Sequence, residues 1–224
     1  MAKLFVFDVN ETLLNVRSME PLFAQAFGDG AALREWFNLL LLHSEVATLA
    51  GPYFDFATIG RAALQMVGEA RGAALSKEQE DEILAAMASM PAHPDVPEAL
   101  RSLQDAGYRM VTLTNSSFEF VERQMHNSGL YEFFERNFSV DTVRCFKPAP
   151  KPYQMVASEL GVEIGEMTMV AAHAWDIVGA MRAGCEGAFV ARPGKVLFPL
   201  APRPAIVGKD LMDVARQIIA SGRG

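Results

Sequence analysis

Polar residues with chemical capacity cluster where apolar runs of this sequence end. Asp8 closes the run KLFVF at 3–7, and Thr12 follows within the same turn, where its hydroxyl and the turn backbone can orient a carboxylate. A carboxylate so placed can be a nucleophile, a general base or a metal ligand; it can equally be a cap accepting backbone N–H groups. Thr114-Asn115-Ser116-Ser117 ends the run RMVTLTN at 109–115. These hydroxyls and the amide can donate to an anion or hold a carboxylate without adding charge, or simply cap a helix beginning near 118. Lys147 lies between Phe146 and Pro148. Its ammonium can pair with Asp8, keep it ionised and attract an anionic substrate, although a lone lysine is ordinarily a solvated surface group. Tyr153 reads first as packing, with its hydroxyl available for a substrate. In Ala171-Ala172-His173-Ala174-Trp175-Asp176, Asp176 can cap a helix, pair with Lys147 or bind magnesium. His173 can orient water or a carboxylate, and Trp175 reads as packing. The other three histidines form no zinc spacing.

These groups need a scaffold that brings strand ends together. Continuous apolar runs at 3–7, 109–115, 167–172 and 187–191 predict strands covered on both faces, as in a parallel sheet, with a weaker strand at 205–207. Helical stripes at 96–106, 118–128, 152–160 and 176–183 fall between them, each followed by glycine, and a last amphipathic helix is expected at 210–220. Strand, helix, glycine, strand is the pattern of an α/β fold with right-handed crossovers. From 15 to 93 there is no convincing strand; helical periodicities at 18–27, 31–49, 56–71 and 76–88 predict a helical insertion. His93-Pro94-Asp95-Val96-Pro97 marks the return to the sheet. The expected division is a core of 1–14 and 94–224, and an insertion of 15–93.

A chain of 224 residues, half of them hydrophobic, can bury a full core. A net charge of −7 offers a nucleic-acid backbone no general attraction. Two cysteines, Cys145 and Cys185, are too few for a disulfide scaffold, and the longest apolar run, at 39–42, cannot span a bilayer. The amino-terminal MAKLFVFDV meets an acid too early for a secretory signal. A cytoplasmic protein with neither nucleic-acid nor membrane partners is expected.

Together, FDVNETL at 7–13, TLTNSS at 112–117, KPAPKPY at 147–153 and AAHAWDIVGA at 171–180 resemble, in order and spacing, the four motif stations of the haloacid dehalogenase superfamily. With the early helical insertion, the likeness is to its L-2-haloacid dehalogenase (type II) branch and covers nearly the whole chain. The resemblance implies a Rossmannoid parallel-sheet core with an inserted helical cap over the active site. It implies hydrolysis of a short (S)-2-haloacid to the (R)-2-hydroxyacid, with no cofactor and no metal, and with Asp8 as nucleophile. Thr12 would support its turn, Thr114 and Asn115 would contact the substrate carboxylate and arrange the site, and Lys147 would stand beside the nucleophile. Tyr153 would be a pocket residue, and Asp176 would serve the hydrolytic stage, where Asn115 and His173 are further candidates for orienting water. A homodimer is also implied. The LLLLH segment at 39–43 would form an apolar surface for it or pack inside the cap.

Three positions depart from the branch. Glu35-Trp36-Phe37 puts Phe37 where a cap arginine is usual, with Arg34 one helical turn away. Ala171-Ala172-His173 replaces Ser-x-Asn, and Asn10 replaces a common tyrosine. Phe37 would then help form an apolar cradle for the substrate. Two other readings are a magnesium-dependent phosphatase, for which Asn10 lacks the ionisable carboxyl of the usual second aspartate, and a ligand-binding member of the fold with weak catalysis.

Overall fold

In the computed structural model, which describes residues 4–222, the first apolar run forms β1 (Leu4–Phe7), every residue of it buried. Lys3, expected in the same strand, lies outside the described residues. Four helices follow before the chain returns to the sheet: α1 (Glu20–Phe27), α2 (Ala32–Ala50), α3 (Phe56–Arg71) and α4 (Lys77–Ala86). Then come α5 (Val96–Asp105), β2 (Arg109–Thr114), α6 (Phe118–Asn127), β3 (Arg136–Ser139), α7 (Pro150–Leu160), β4 (Met167–Ala171), α8 (Ala174–Ala183), β5 (Glu186–Val190), β6 (Ile206–Gly208) and α9 (Leu211–Ala220). The six strands form one sheet in the order β3-β2-β1-β4-β5-β6, with every neighbouring pair parallel. Helices cover both faces of such a sheet, which is why β1 and β4 read as unbroken apolar runs. The fold is a Rossmannoid α/β core with an inserted helical cap.

Strand order reverses beside β1: the chain moves outward through β2 and β3, then crosses back to β4 on the other side. A crevice opens beyond the carboxyl ends of β1 and β4 at such a switch point. Asp8 follows β1, Ala172 and His173 follow β4, and Asn115 follows β2, so the topology alone assembles three of the four sequence stations.

Strand β3 was not expected. It is four residues long, begins with exposed Arg136 after Glu135, and its apolar content is too short to stand out from a loop. Its last residue matters to the crevice: the Ser139 hydroxyl donates to the Ser116 carbonyl at 2.7 Å and steadies the turn after β2. Helices α7 and α8 begin two residues earlier than expected, at Pro150 and Ala174; in α7 Pro150 takes a first-turn position where its missing N–H costs nothing. The last strand is displaced by one residue, to Ile206–Gly208. Among the described residues no helix is long and apolar enough to cross a membrane.

The cap packs through its own core. Trp36 is fully buried and its indole N–H donates to the Gly60 carbonyl at 2.8 Å, joining α2 to α3. Phe37, next to it, turns toward the sheet. Contacts between insertion and sheet include the Phe146 N–H on the Thr48 hydroxyl at 3.0 Å, and the Gln124 amide shared between Met87 and Asn10. In segment 39–42, Leu40 is buried and Leu42 is half exposed, so both expected fates of that run occur.

One close approach sets the depth at which the fourth station meets the third. Gly179 on α8 lies against Pro148; a Cβ there would stand 2.5 Å from the Pro148 carbonyl oxygen and 2.8 Å from its Cα. Neither is the end of a flexible side chain, so Gly179→Ala must push the 146–149 turn away from α8. The expected loss is about 1–3 kcal/mol in chemical denaturation, and Lys147 moves with the turn.

Candidate active site

Lys147 is the centre of the crevice. Its ammonium has no solvent exposure and donates to Asp8 Oδ1 at 2.9 Å, Asp176 Oδ2 at 2.7 Å and the Leu113 carbonyl at 2.8 Å, which uses all three of its hydrogens. Its backbone N–H donates to Asn115 Oδ1 at 3.1 Å, so the residue after β2 anchors the lysine turn. Burial opposes the charge on Lys147, but the two carboxylates outweigh it and raise its pKa above the ordinary lysine value. Burial opposes ionisation of Asp8 as well; Lys147, His173 and Thr12 together hold its carboxyl well below the usual range. Asp176 goes the other way. Burial and the nearby charge of Asp8 raise its pKa despite Lys147.

The second oxygen of Asp8 has its own partners. Thr12 donates to Oδ2 at 2.6 Å and accepts from the Ala172 N–H at 2.9 Å, tying the turn after β1 to the end of β4. The Thr12 carbonyl is held by the Arg192 guanidinium at 2.9 Å. His173 Nδ1 lies 3.2 Å from Asp8 Oδ2, and its Nε2 lies 2.7 Å from Glu11 Oε2. Lys195, from the loop after β5, reaches the same Glu11 oxygen at 2.5 Å. Aromatic rings enclose the imidazole: Phe37 at 6.4 Å from the cap and Trp175 at 5.0 Å from α8. The Trp175 indole N–H is buried and has no hydrogen-bond partner among the described residues.

Asp8, Lys147, Asp176 and Asn115 therefore meet directly, with Thr12 and His173 on the side of Asp8 away from Lys147. Thr114 is buried one residue back, and its hydroxyl accepts the Ser116 N–H at 3.2 Å. Tyr153, expected to offer its hydroxyl to a substrate, is fully buried and donates instead to Asp176 Oδ1 at 2.6 Å. Asn10 is fixed between Gln124, which donates to its Oδ1 at 3.0 Å, and the Ser116 hydroxyl at 3.3 Å. Arg34 is exposed and does not enter this cluster; with Glu11, Phe37, Asn38 and Lys195 it lines a cavity of about 690 Å³ between cap and core. Sequence reasoning passed over Glu11 and Lys195. Glu11 had one signal, its position between Asp8 and Thr12; Lys195 had none, since only folding brings the loop of 193–204 across the turn after β1.

This arrangement can hold one carboxylate charged, dry and oriented, with a second carboxylate beside it. The comparisons agree with the geometry. The haloacid dehalogenase-like hydrolase family matches residues 2–184. The (S)-2-haloacid dehalogenase 4A of Burkholderia cepacia is 30% identical over 84% of this chain and 83% of its own. The (S)-2-haloacid dehalogenase of Xanthobacter autotrophicus is 32% identical over 86% of this chain and 76% of its own. A structure of the L-2-haloacid dehalogenase from Xanthobacter autotrophicus with chloropropionic acid covalently bound superimposes with a TM-score of 0.91, at 27% identity over 97% of this chain and 98% of that one.

Removing the central ammonium leaves two buried carboxylates facing one another. Lys147→Met is expected to cost about 3–5 kcal/mol of folding stability at neutral pH. The deficit should narrow below about pH 4, the range where the unfolded carboxyl titrates: Asp8 is depressed in the folded protein, so its contribution is present above that range and lost as pH falls. Urea denaturation at pH 7 and about pH 3 measures both.

Proposed function

The chain belongs to the haloacid dehalogenase-like hydrolases, and from its site we propose that it hydrolyses a short (S)-2-haloacid to the (R)-2-hydroxyacid through an ester on Asp8. The observation that carries this reading is the environment of Asp8: a buried carboxylate, kept ionised by Lys147, at the switch point of the sheet. A dry carboxylate lacks the hydration that blunts it as a nucleophile, and alignment supplies the rest.

In the first step an Asp8 oxygen attacks C2 of the substrate from the side opposite the halogen. The C–X bond breaks with its electron pair leaving on the halide, and the configuration at C2 inverts. Trp175 presents a buried, unpartnered N–H beside the cluster, and we assign it to the departing halide. In the second step water adds to the Asp8 carboxyl carbon and the bond to the alkyl oxygen breaks. The alcohol takes one proton of that water and the Asp8 carboxylate is restored. Asp176, whose basicity burial raises, is the assigned acceptor of the other proton, with Tyr153 and Lys147 orienting it. Asn115 fixes the lysine turn, and it and Thr114 present the end of β2 to the substrate carboxylate. Thr12 orients Asp8, and Phe37 and His173 wall the pocket beneath the cap, which we place at 15–93 against a core of 1–14 and 94–224.

The phosphatase alternative is disfavoured at Asn10. Both ends of its amide are engaged by Gln124 and Ser116, and an amide cannot pass a proton to a leaving alcohol. A non-catalytic role fits poorly with a nucleophile held ionised at a buried position.

The test is incubation with chloroacetate and both enantiomers of 2-chloropropionate, reading halide release, with intact-mass detection of an ester on Asp8 at short times. The (S) enantiomer should turn over and the (R) should not; Asp8→Asn should lose at least about 10³-fold in rate. Normal halide release from Asp8→Asn, or phosphate release with magnesium and no halide release, overturns the reading. The exposed stripe of Leu42, Val46 and Leu49 on α2 supports a homodimer through this face. Leu49→Glu should shift sedimentation toward monomer, with little loss of folding stability because Leu49 is 87% exposed.

A further inference from the structure

The turn that carries Lys147 runs from the end of β3 to the start of α7, at 140–149, and it is held from two sides. From the core, Asn115 takes the Lys147 N–H, and the Ser139 hydroxyl accepts the Asp141 N–H at 3.1 Å. From the cap, Thr48, Tyr53 and Phe56 meet the stretch just before the lysine. The Thr48 hydroxyl takes the Phe146 N–H and is itself fixed on the Ser44 carbonyl at 3.2 Å. The Tyr53 ring stacks on Phe146 with centroids 5.0 Å apart, and Phe56 adds a tilted contact at 6.2 Å. The Tyr53 hydroxyl donates to Asp141 Oδ1. Arg144, between these anchors, stands at φ 49°, a left-handed conformation that is costly for a residue other than glycine. Its guanidinium lies 5.1 Å from the centre of the Tyr53 ring, a contact that offsets part of that cost.

We propose that Tyr53 is a positioning residue for Lys147: by gripping Asp141 and Phe146 from the cap it sets the reach of the ammonium to Asp8, so that seating the cap and activating the nucleophile are one event. This rests on the dehalogenase reading and deepens it. Phe146 is fully buried and directly precedes Lys147, so whatever registers its ring registers the lysine backbone. The three bonds of the ammonium, at 2.7–2.9 Å, tolerate little movement. A shift of the turn by about 1 Å takes at least one of them out of hydrogen-bond range. An ammonium that loses an oxygen partner must recruit water in its place, and water beside Asp8 restores the hydration that blunts a carboxylate as nucleophile. Contacts between a substrate and the cap thus act on Asp8 through Tyr53, the 141–146 stretch and Lys147.

The link has a pH signature, and it lies at Asp8 rather than at Tyr53. Burial, then Asp141 and Asp55, raise the Tyr53 hydroxyl above the ordinary tyrosine value against the pull of Arg144, so it donates at every working pH. Burial pushes the Asp8 carboxyl up, and Lys147, first among its partners, together with His173 and Thr12, brings it well below the usual range. Asp176 is the other carboxylate on the same ammonium. A carboxyl with a depressed pKa is ionised throughout the neutral range, so halide release has no acidic limb there. When Lys147 recedes, Asp8 takes up its proton at higher pH, and the limb moves up into the measurable range.

The experiment follows the halide burst in a single turnover of (S)-2-chloropropionate by rapid quench from pH 5 to 9. In parallel, the Lys147 ammonium is observed by ¹H–¹⁵N NMR in the resting enzyme, where three hydrogen bonds in a dry site slow its exchange with water. Wild-type protein should give a flat burst profile and a resolved ammonium signal. Tyr53→Phe keeps the stack and loses the hydrogen bond; its burst should be about tenfold slower, with a new acidic limb and an ammonium signal broadened by exchange. Asp141→Ala should do the same, and the double variant should be no slower than either single one, because the pair acts as a unit. Asp141→Asn, which keeps an acceptor for the hydroxyl, should recover most of the rate. Tyr53→Ala, which also loses the stack, should fall by about 10²-fold. A wild-type burst rate in Tyr53→Phe, a slower burst with a flat profile and an unmoved ammonium signal, or losses that multiply in the double variant each overturn the proposal. Wild-type protein that releases no halide from any 2-haloacid, yet shows the broadened ammonium signal in Tyr53→Phe, overturns the dehalogenase reading while supporting the link from Tyr53 to Lys147.

Discussion

An ammonium group without water must be surrounded by oxygen, and Lys147 meets that demand with three atoms from three separate parts of the chain: the residue after β1, the penultimate residue of β2 and the first turn of α8. The requirement works in both directions. Asp8 and Asp176 can be buried as anions because the ammonium lies between them, and the ammonium can be buried because they do. Replacing such a triad by apolar residues of equal volume need not weaken a fold, so its contribution is better described as geometric than as stabilising. It fixes the relative positions of strand ends that hydrogen bonding within the sheet would leave free by a fraction of an ångström. Gly179 belongs to the same constraint, since α8 must come within contact of Pro148 for Asp176 to reach Lys147.

The parts of the fold with a strong one-dimensional signal were legible in the residues. β1, β2 and β4 are buried on both faces and so read as apolar runs, and a polar side chain follows each within two residues, Asp8, Asn115 and His173, because the crevice lies there. The cap helices showed their period, including the long stripe of α2. β3 did not, because four residues with a single apolar side chain, Phe138, carry almost no pattern, and its place at the sheet edge is settled by pairing with β2. At the site, Asp8, Lys147 and Asp176 were each visible as candidates, but the direction of side chains was not. Tyr153 shows the difference: a residue two turns from Lys147 in a proline-rich stretch can face a pocket or a neighbour, and packing turned its hydroxyl onto Asp176. Glu11 was hidden by its louder neighbours, and its partners are 162 and 184 residues away.

The substitutions at Phe37 and His173 make sense as a pair. An arginine on a cap helix brings positive charge only when the cap is seated, and it must be desolvated each time. An imidazole two residues beyond β4 belongs to the core, is already enclosed by Phe37 and Trp175, and has both nitrogens engaged before a substrate arrives. The cap is then left with an apolar contribution over the site, while Arg34 stays at the rim of the larger cavity. Rigid polar groups aimed at developing charge need no rearrangement at the moment of reaction, which is where such groups are most effective.

Because the Lys147 cluster excludes solvent, dissolved ions cannot reach it either. Counter-ions act on charges they can surround, over a distance of about 8 Å at physiological ionic strength, and the exposed Arg34 guanidinium is such a charge whereas the Asp8–Lys147–Asp176 set is not. Added salt therefore screens the charge at the rim and leaves the field inside the cluster nearly unchanged. The protein keeps its chemistry in a compartment that the ionic composition of its surroundings does not enter.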